Sequence, residues 1–167
     1  PGSHYGNSPS AVQGAELQGR TLIHGTAAGV RGLSRYRTAP LLFGAALLNA
    51  RATAAVILAA GVPRVTLVIT GEWTDRDGDE DVACADYLEA LLQGGDPSPE
   101  PFSERVRQSD FGRRFAAGDQ PHLPSADLDL CAEADRFDFA LQALPSPLGL
   151  RLVAVYAGGG TMGKSRS

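Results

Sequence analysis

Lysine and cysteine are scarce in this sequence, and each shortage limits the kinds of catalytic group that the chain can supply. Its 167 residues include fourteen arginines but one lysine, Lys164. Catalysis by a desolvated lysine amine therefore has almost no candidate, whereas arginines able to bind anions through two hydrogen bonds are plentiful. The two cysteines, Cys84 and Cys131, show no CxxC or Cys/His spacing. This pattern indicates buried thiols in a reducing compartment, so we expect a cytoplasmic location.

The composition also argues against membranes and nucleic acids as partners. The longest apolar run, around 41–48, is too short to cross a bilayer and is interrupted by Gly44. The formal charge of −4 is opposite in sign to the basic stripe that usually meets nucleic-acid phosphates. With 43% hydrophobic residues a sizeable core can form, and we expect one domain over 1–157. The remaining residues, 158–167, are expected to form a flexible glycine-rich tail.

Strand and helix patterns alternate along the chain. The predicted strands are 20–24, 40–43, 65–69, 137–144 and 148–156. The predicted helices are 27–36, a helix capped by Asn49 and ending at Ala60, 80–93, 102–117 and 126–134. The run 65–69 (VTLVI) is typical of a strand buried in a parallel sheet, whereas the last two strands are separated by a turn at 145–147.

This alternation predicts an α/β fold of three layers, with a mainly parallel or mixed sheet covered by helices. In such folds ligands bind outside the carboxyl ends of the strands. The loops at Gly25, Gly44 and Gly71 are therefore the places to search for a site.

Acidic residues are concentrated after the strand at 65–69. Seven of the nineteen carboxylates fall within fifteen positions: Glu72, Asp75, Asp77, Asp79, Glu80, Asp81 and Asp86. Such a loop suits Mg²⁺, which takes one or two carboxylates together with water and substrate phosphate. The alternative is a solvated loop in which Asp79 caps a helix and its neighbours complement the helix dipole. A calcium loop is disfavoured, because its sixth position holds Glu80 instead of glycine.

Three other segments contain residues with possible roles in anion binding. The tail at 158–165 (GGGTMGKS) matches the phosphate-loop pattern, but only two residues of this chain follow it and the motif needs a helix there. We therefore expect a chance match. The turns at 6–9 (GNSP) and 24–26 (HGT) offer small side chains, hydroxyls and backbone N–H groups suited to an anion. His24 is either a general base or phosphate donor, or a structural residue at a strand end.

Four short segments occur in the same order as in a known family. They are GNSP at 6–9, TLIHGT at 21–26, FGAALLNA at 43–50, and the strand 65–71 followed by EDxxCA at 80–85. Together they resemble the Mg²⁺-dependent 2-phosphosulfolactate phosphatases of coenzyme M biosynthesis. A weaker similarity continues through 126–131 to the last strands, so the resemblance covers nearly all of 1–152.

The resemblance implies a three-layer α/β phosphohydrolase that acts on a small phosphorylated anion. It assigns substrate binding to Gly6, Asn7, Ser8, His24, Gly25, Thr26 and Asn49. Glu80 and Asp81 are assigned as the catalytic acid–base pair and as ligands of Mg²⁺. The metal would polarise the phosphoryl oxygens and activate a water, and N–H groups and arginines would neutralise the developing charge.

The sequence departs from the family pattern at two positions and in extent. The family usually has Asn where His24 stands and Arg where Ala27 stands, so an anion contact is either lost or supplied by Arg31. An N-terminal Asp-x-x-Arg-Ala-Thr motif and a Gly-Glu-Arg element of the family do not occur, so we expect this chain to be the C-terminal part. Two other functions stay open: a non-catalytic domain that binds small anions, and a nucleotide-binding protein using 158–165. A homo-oligomer is also allowed.

Overall fold

Helices account for more of the described chain than strands do. The computed structural model describes residues 5–26, 28–71, 78–118 and 124–158. The helices within these ranges are α1 (Pro9–Gln13), α2 (Gly29–Arg35), α3 (Ala50–Ala59), α4 (Asp79–Leu92), α5 (Glu100–Gln108), α6 (Asp110–Ala117) and α7 (Ser125–Ala132). Four of the five predicted helices agree with these bounds to within about two residues. None of the described helices combines the length and the apolar character that a membrane crossing requires.

Three strands form one antiparallel sheet in the described part of the chain. They are β1 (Phe43–Gly44), β2 (Ala140–Ser146) and β3 (Gly149–Val155), in the order β1-β2-β3. Because Ser146 lies opposite Gly149, only Pro147 and Leu148 form the turn between β2 and β3. Gly149 has a φ of +120°, which glycine adopts without steric cost. The predicted hairpin is confirmed, with its turn one to two residues later than expected.

The main hydrophobic core lies between helices. Its buried members are Leu47, Ala50, Ala54, Ala83, Tyr87, Leu88, Leu91, Val106 and Ala132. The small side chains of Ala50, Ala54 and Ala83 allow α3 and α4 to pack closely. Leu67, from the chain that follows α3, packs against this cluster.

Residues 65–70 run in an extended conformation along α4. Thr70 contacts Asp81 near the beginning of α4, whereas Val65 and Leu92 line one groove at its end. Eleven helical residues span roughly 16 Å, and five residues cover that distance only when they are extended at about 3.3 Å each. The residues predicted as a buried strand are therefore extended, but they form no strand and three of them are partly exposed.

The expected parallel sheet is not found among the described residues, where the sheet is antiparallel. The two segments expected to supply its parallel strands, 20–24 and 65–69, have no ladder partner in the described chain. A β-strand is defined by its neighbour as much as by its own sequence, so VTLVI alone does not make a sheet. The coarser prediction, helices combined with a sheet, is confirmed.

Two smaller predictions are wrong. The helix expected over 102–117 is divided at Ser109, whose extended backbone ends α5 and whose hydroxyl accepts a hydrogen bond from Gly112 N at 3.0 Å to begin α6. Serine is a preferred N-cap, so this break was visible in the sequence. The two cysteines also differ in burial, because Cys84 is half-buried and Cys131 is exposed.

A network around Arg51 fixes the beginning of α3. The Tyr87 hydroxyl donates a hydrogen bond to Asp135 Oδ2 at 2.5 Å and accepts one from Arg51 Nη2 at 3.0 Å. The backbone N–H of Arg51 donates to Asp135 Oδ1 at 2.9 Å, and its Nη1 pairs with Asp96 at 2.6 Å. Burial and the bond to Asp135 raise the pKa of Tyr87 to about 12. The network therefore ties α3, α4 and the loop before β2 together.

Tyr87→Phe should lower the free energy of unfolding by about 1–3 kcal/mol, because it removes a hydrogen bond to a charged group in the core. The unfolded phenol loses its proton near pH 10 while the folded one keeps it to about pH 12. Wild-type stability should therefore fall from pH 10 to 12, and Tyr87→Phe should lack this component. Urea denaturation measures both effects. Tyr36→Phe, at an exposed tyrosine, is the control, and equal pH profiles for wild type and Tyr87→Phe would contradict the prediction.

Candidate active site

The first turn of α4 presents the two carboxylates that the sequence predicts as catalytic. Gly78 precedes the helix in a left-handed conformation, and the first turn contains Asp79, Glu80 and Asp81. Acidic side chains stabilise this end of a helix, because the unpaired N–H groups there carry partial positive charge. The same turn therefore has a structural reason to be acidic, whatever its chemistry.

Asp79 and Asp86 form ion pairs with one arginine. Arg105 of α5 donates to Asp79 at 2.5 Å and to Asp86 at 2.6 Å. Both carboxylates raise the pKa of Arg105 further above its ordinary value. This arrangement assigns Asp79 and Asp86 to the contact between α4 and α5, and it separates them in role from Glu80 and Asp81.

Asp81 is bonded to the end of the extended segment. Its Oδ2 accepts hydrogen bonds from the backbone N–H of Thr70 at 3.3 Å and from the Thr70 hydroxyl at 3.4 Å. A Cβ placed on Gly71 would lie 2.7 Å from Asp81 Oδ2 and 3.5 Å from Glu80 Oε1. Two carboxylate oxygens therefore converge on the space beside Gly71, and glycine is required there because any side chain would displace Asp81.

Helix α2 packs against the other side of this junction. A Cβ on Gly32 would lie 2.6 Å from Thr70 Cγ2, so the helix approaches Thr70 as closely as its backbone allows. The turn that precedes α2 includes Thr26, whose Oγ1 accepts a hydrogen bond from Ala28 N at 3.4 Å. Thr26 thus lies in the segment that leads into α2. Gly25 and His24 are exposed.

The turn at 6–8 is held by α7 instead. Ser8 is the N-cap of α1, and its hydroxyl accepts from Ala11 N at 3.3 Å and donates to Asp127 Oδ1 at 3.0 Å. Asp127 also accepts from Ser10 N at 2.8 Å. Ser8 therefore has a structural role in the described chain, while Gly6 and Asn7 are exposed.

Asn49 is buried at the beginning of α3, as the sequence predicts, but it does not cap that helix. Its Oδ1 accepts a hydrogen bond from Ala46 N at 2.9 Å, which closes the turn before the helix. The segment 47–49 contacts α7, the helix that also holds Ser8. The predicted site residues thus fall into two sets of contacts, one around Asp81 and one around α7.

Sequence reasoning missed three residues that organise these sets. Thr70 and Arg105 bind the acidic turn, and Asp127 binds the turn at 6–8. Thr70 has a visible signal, because it ends a predicted strand where ligand-binding loops occur. Asp127 and Arg105 have none, since their partners are distant in sequence.

The two thiols are unsuited to act as nucleophiles at neutral pH. Burial first, and then the nearby carboxylates of Asp81 and Asp135, raise the pKa of Cys84 to about 12. Burial and Asp127 also raise the pKa of Cys131. Because the thiolate is the reactive form, neither residue indicates cysteine-based phosphoryl transfer.

Comparison with known proteins places these segments in a family. The family model described as 2-phosphosulpholactate phosphatase matches residues 1–143. This match extends over most of the chain. The chain belongs to the 2-phosphosulfolactate phosphatase family.

Curated members of the 2-phosphosulfolactate phosphatase family match over different extents. The "Probable 2-phosphosulfolactate phosphatase" of Bacillus subtilis (strain 168) is 27% identical over 139 residues, which cover 81% of this chain and 59% of the relative. The proteins of the same name from Parasynechococcus marenigrum (strain WH8102) and Synechococcus sp. (strain RCC307) are 40% and 38% identical. Those matches cover 55% and 58% of this chain, and 38% and 40% of the relatives.

The chain thus spans between about two fifths and three fifths of the length of these 2-phosphosulfolactate phosphatase relatives. No solved structure gives a significant match. Among the described residues there is no group of three or more His, Cys, Asp or Glu side chains that could hold a metal ion. Glu72, Asp75 and Asp77 of the predicted acidic loop lie outside the described residues, as do the glycine-rich tail after 158 and Ala27.

Gly32→Ala should lower the free energy of unfolding by about 1–3 kcal/mol, because the added methyl group meets Thr70 Cγ2. Thr70→Ser removes that methyl group and keeps the hydroxyl bonded to Asp81. The double variant should therefore regain most of the stability lost in Gly32→Ala, as measured by urea denaturation. Gly29→Ala is the control, since a Cβ there meets no atom within 4 Å. Failure of Thr70→Ser to restore stability would contradict the α2–Thr70 contact.

Alkylation by iodoacetamide at pH 8 should modify Cys131 before Cys84. Cys131 is exposed, whereas Cys84 is half-buried and its pKa of about 12 leaves almost no thiolate at that pH. Peptide mass spectrometry of a time course gives the two rates. Cys131→Ser isolates the slow reaction of Cys84. A faster reaction at Cys84 than at Cys131 would contradict the greater burial of Cys84.

Proposed function

We propose that the chain forms part of a Mg²⁺-dependent phosphatase that hydrolyses a small anionic phosphomonoester, with 2-phosphosulfolactate as the first substrate to test. The observation that carries this proposal is the convergence of Glu80 and Asp81 on the space beside Gly71, in a chain of a phosphatase family. Hydrolysis of such a substrate breaks a P–O bond with water and releases phosphate and an alcohol.

The charges at this site support a cation. Glu80 and Asp81 bring two carboxylates to one small volume beside Gly71. A phosphomonoester dianion placed there would be repelled without a cation between the charges. Hard carboxylate oxygens, one or two in number, are the ligands that Mg²⁺ takes together with water and phosphate.

When Mg²⁺ is bound, it supplies a Lewis acid for the phosphoryl oxygens and lowers the pKa of water. The chain's own residues hold the acidic pair in place. Thr70 orients Asp81 through two hydrogen bonds, and the absence of a side chain at Gly71 leaves room between the carboxylates. A carboxylate of the pair accepts the proton of the attacking water.

Binding of the substrate's phosphate is assigned to the turns that the family resemblance gives. We propose that Gly6, Asn7, Ser8, Gly25, Thr26 and Asn49 contribute N–H groups and small polar side chains to the phosphate. His24 and Arg31 are assigned to the remaining negative charge of the substrate, since arginine pairs with anions through two hydrogen bonds. A mixed three-layer fold, a role in coenzyme M biosynthesis, and a cytoplasmic location are further parts of the proposal.

Glu80→Gln and Asp81→Asn should each lower kcat about 10²- to 10⁴-fold, because each removes a carboxylate that binds the metal or the proton. A steady-state assay with 2-phosphosulfolactate and a panel of phosphomonoesters, with Mg²⁺ or with EDTA, measures this. EDTA should abolish turnover, and added Mg²⁺ should restore it. Glu104→Gln, an isosteric change at an exposed glutamate of α5, is the matched control.

The same assay separates the alternative function. Calorimetry with inorganic phosphate, with and without Mg²⁺, reports binding independently of turnover. Metal-independent phosphate binding without hydrolysis of any ester would replace the phosphatase proposal with a small-anion-binding domain. Unchanged hydrolysis in both carboxylate variants would show that Glu80 and Asp81 are not the active residues.

A further inference from the structure

The extended segment 64–70 contains three apolar side chains that are partly exposed to solvent. Val65, Val68 and Ile69 are between 39% and 45% exposed, although Leu67 between them packs against the core. Side chains that are β-branched and apolar usually lie in the interior of a sheet. Three such side chains within five positions, each about two fifths exposed, therefore indicate a segment that another part of a protein covers.

The backbone of this segment is also open. Within the described chain, residues 64–69 make no hydrogen bond to another residue, and the amide of Thr70 donates to Asp81 at its end. An extended backbone with unpaired N–H and C=O groups is the template on which an additional strand forms. The unpaired backbone groups and the exposed apolar side chains are thus both suited to pairing with an added apolar β-strand.

Helix α2 places the open segment close to the existing sheet. Gly32 of α2 contacts Thr70, and the next residue, Leu33, lies 3.9 Å from the position of a Cβ on Gly44 in β1. β1 pairs with β2 on one side and is the edge strand of the described sheet. Helix α2 therefore contacts both β1 and the extended segment. A strand added to the extended segment would lie beside the same helix.

The length of the relatives favours one source for that strand. The match to the Bacillus subtilis relative covers 59% of it, so roughly two fifths of that protein lies outside the match. A polypeptide of that size is long enough for several strands of five to six residues each. A second copy of this chain would offer the same open edge, but that source leaves the additional length of the relatives without a role.

We propose that residues 64–70 are a docking edge for an apolar β-strand that belongs to the part of the family polypeptide outside the matched segment. The strand pairs with the open backbone and covers Val65, Val68 and Ile69, which completes the sheet beside α2. This inference does not depend on the proposed phosphatase activity, and its test uses no turnover.

Hydrogen exchange followed by mass spectrometry tests the proposal. In this chain alone, the amides of 65–69 should exchange near the rate of an unstructured peptide. In the full-length Bacillus subtilis relative, the amides aligned with 65–69 should exchange at least about tenfold more slowly, because they are hydrogen-bonded. Removal of the part outside the match should abolish that protection.

Three results would overturn the proposal. The first is protection of 65–69 in this chain as a monomer. The second is a dimer of this chain, detected by light scattering, whose formation protects 65–69, because a second copy is then the occupant. The third is fast exchange of the aligned amides in the full-length relative, since no strand then pairs there.

Two charge substitutions add a readout that does not depend on the relative. Val68→Lys should change the Tm of this chain no more than Leu148→Lys, a matched change at a hairpin-turn residue that is 93% exposed. Val68 is 45% exposed and Leu148 is 93% exposed, so a lysine at either position can keep its charged end in solvent. A clearly larger loss of Tm for Val68→Lys would show that the chain itself covers the segment, which also overturns the proposal.

Discussion

Two hydrogen bonds from Thr70 to Asp81 determine where the acidic end of α4 lies. They join the end of an extended segment to the first turn of a helix, so the segment and the helix share one fixed corner. On the other side of this junction, Gly32 of α2 lies close to Thr70 Cγ2. The candidate site is therefore set by backbone proximity, since Gly71 and Gly32 both lie where a larger residue would push the elements apart.

The acidic residues of α4 divide into two groups with different energetic consequences. Arg105 neutralises the charges of Asp79 and Asp86, and these ion pairs connect α4 to α5. Glu80 and Asp81 lie on the side of Gly71 instead, where an oxygen of each approaches the same space. Carboxylates brought together in this way are typical of sites that bind cations or transfer protons.

The sequence was sufficient for four of the five predicted helices and for the final hairpin, because capping residues, glycine stops and turn residues act over a few positions. It also located Glu80, Asp81 and Asn49 at helix starts. It could not show that VTLVI lacks a neighbouring strand, because strand pairing depends on residues elsewhere. For the same reason it could not show that the Ser8 hydroxyl is hydrogen-bonded to Asp127, 119 positions away.

That long-range bond has a consequence for the order of folding. Helix α1 has five residues, too few to be stable alone, and the residue that fixes its N-cap lies in α7. During synthesis, the hydrogen bond from the turn at 6–8 to Asp127 can form only after α7 has left the ribosome. Closing a loop of this length is an entropic cost that falls late on the pathway, so α1 is expected to dock last and to open first.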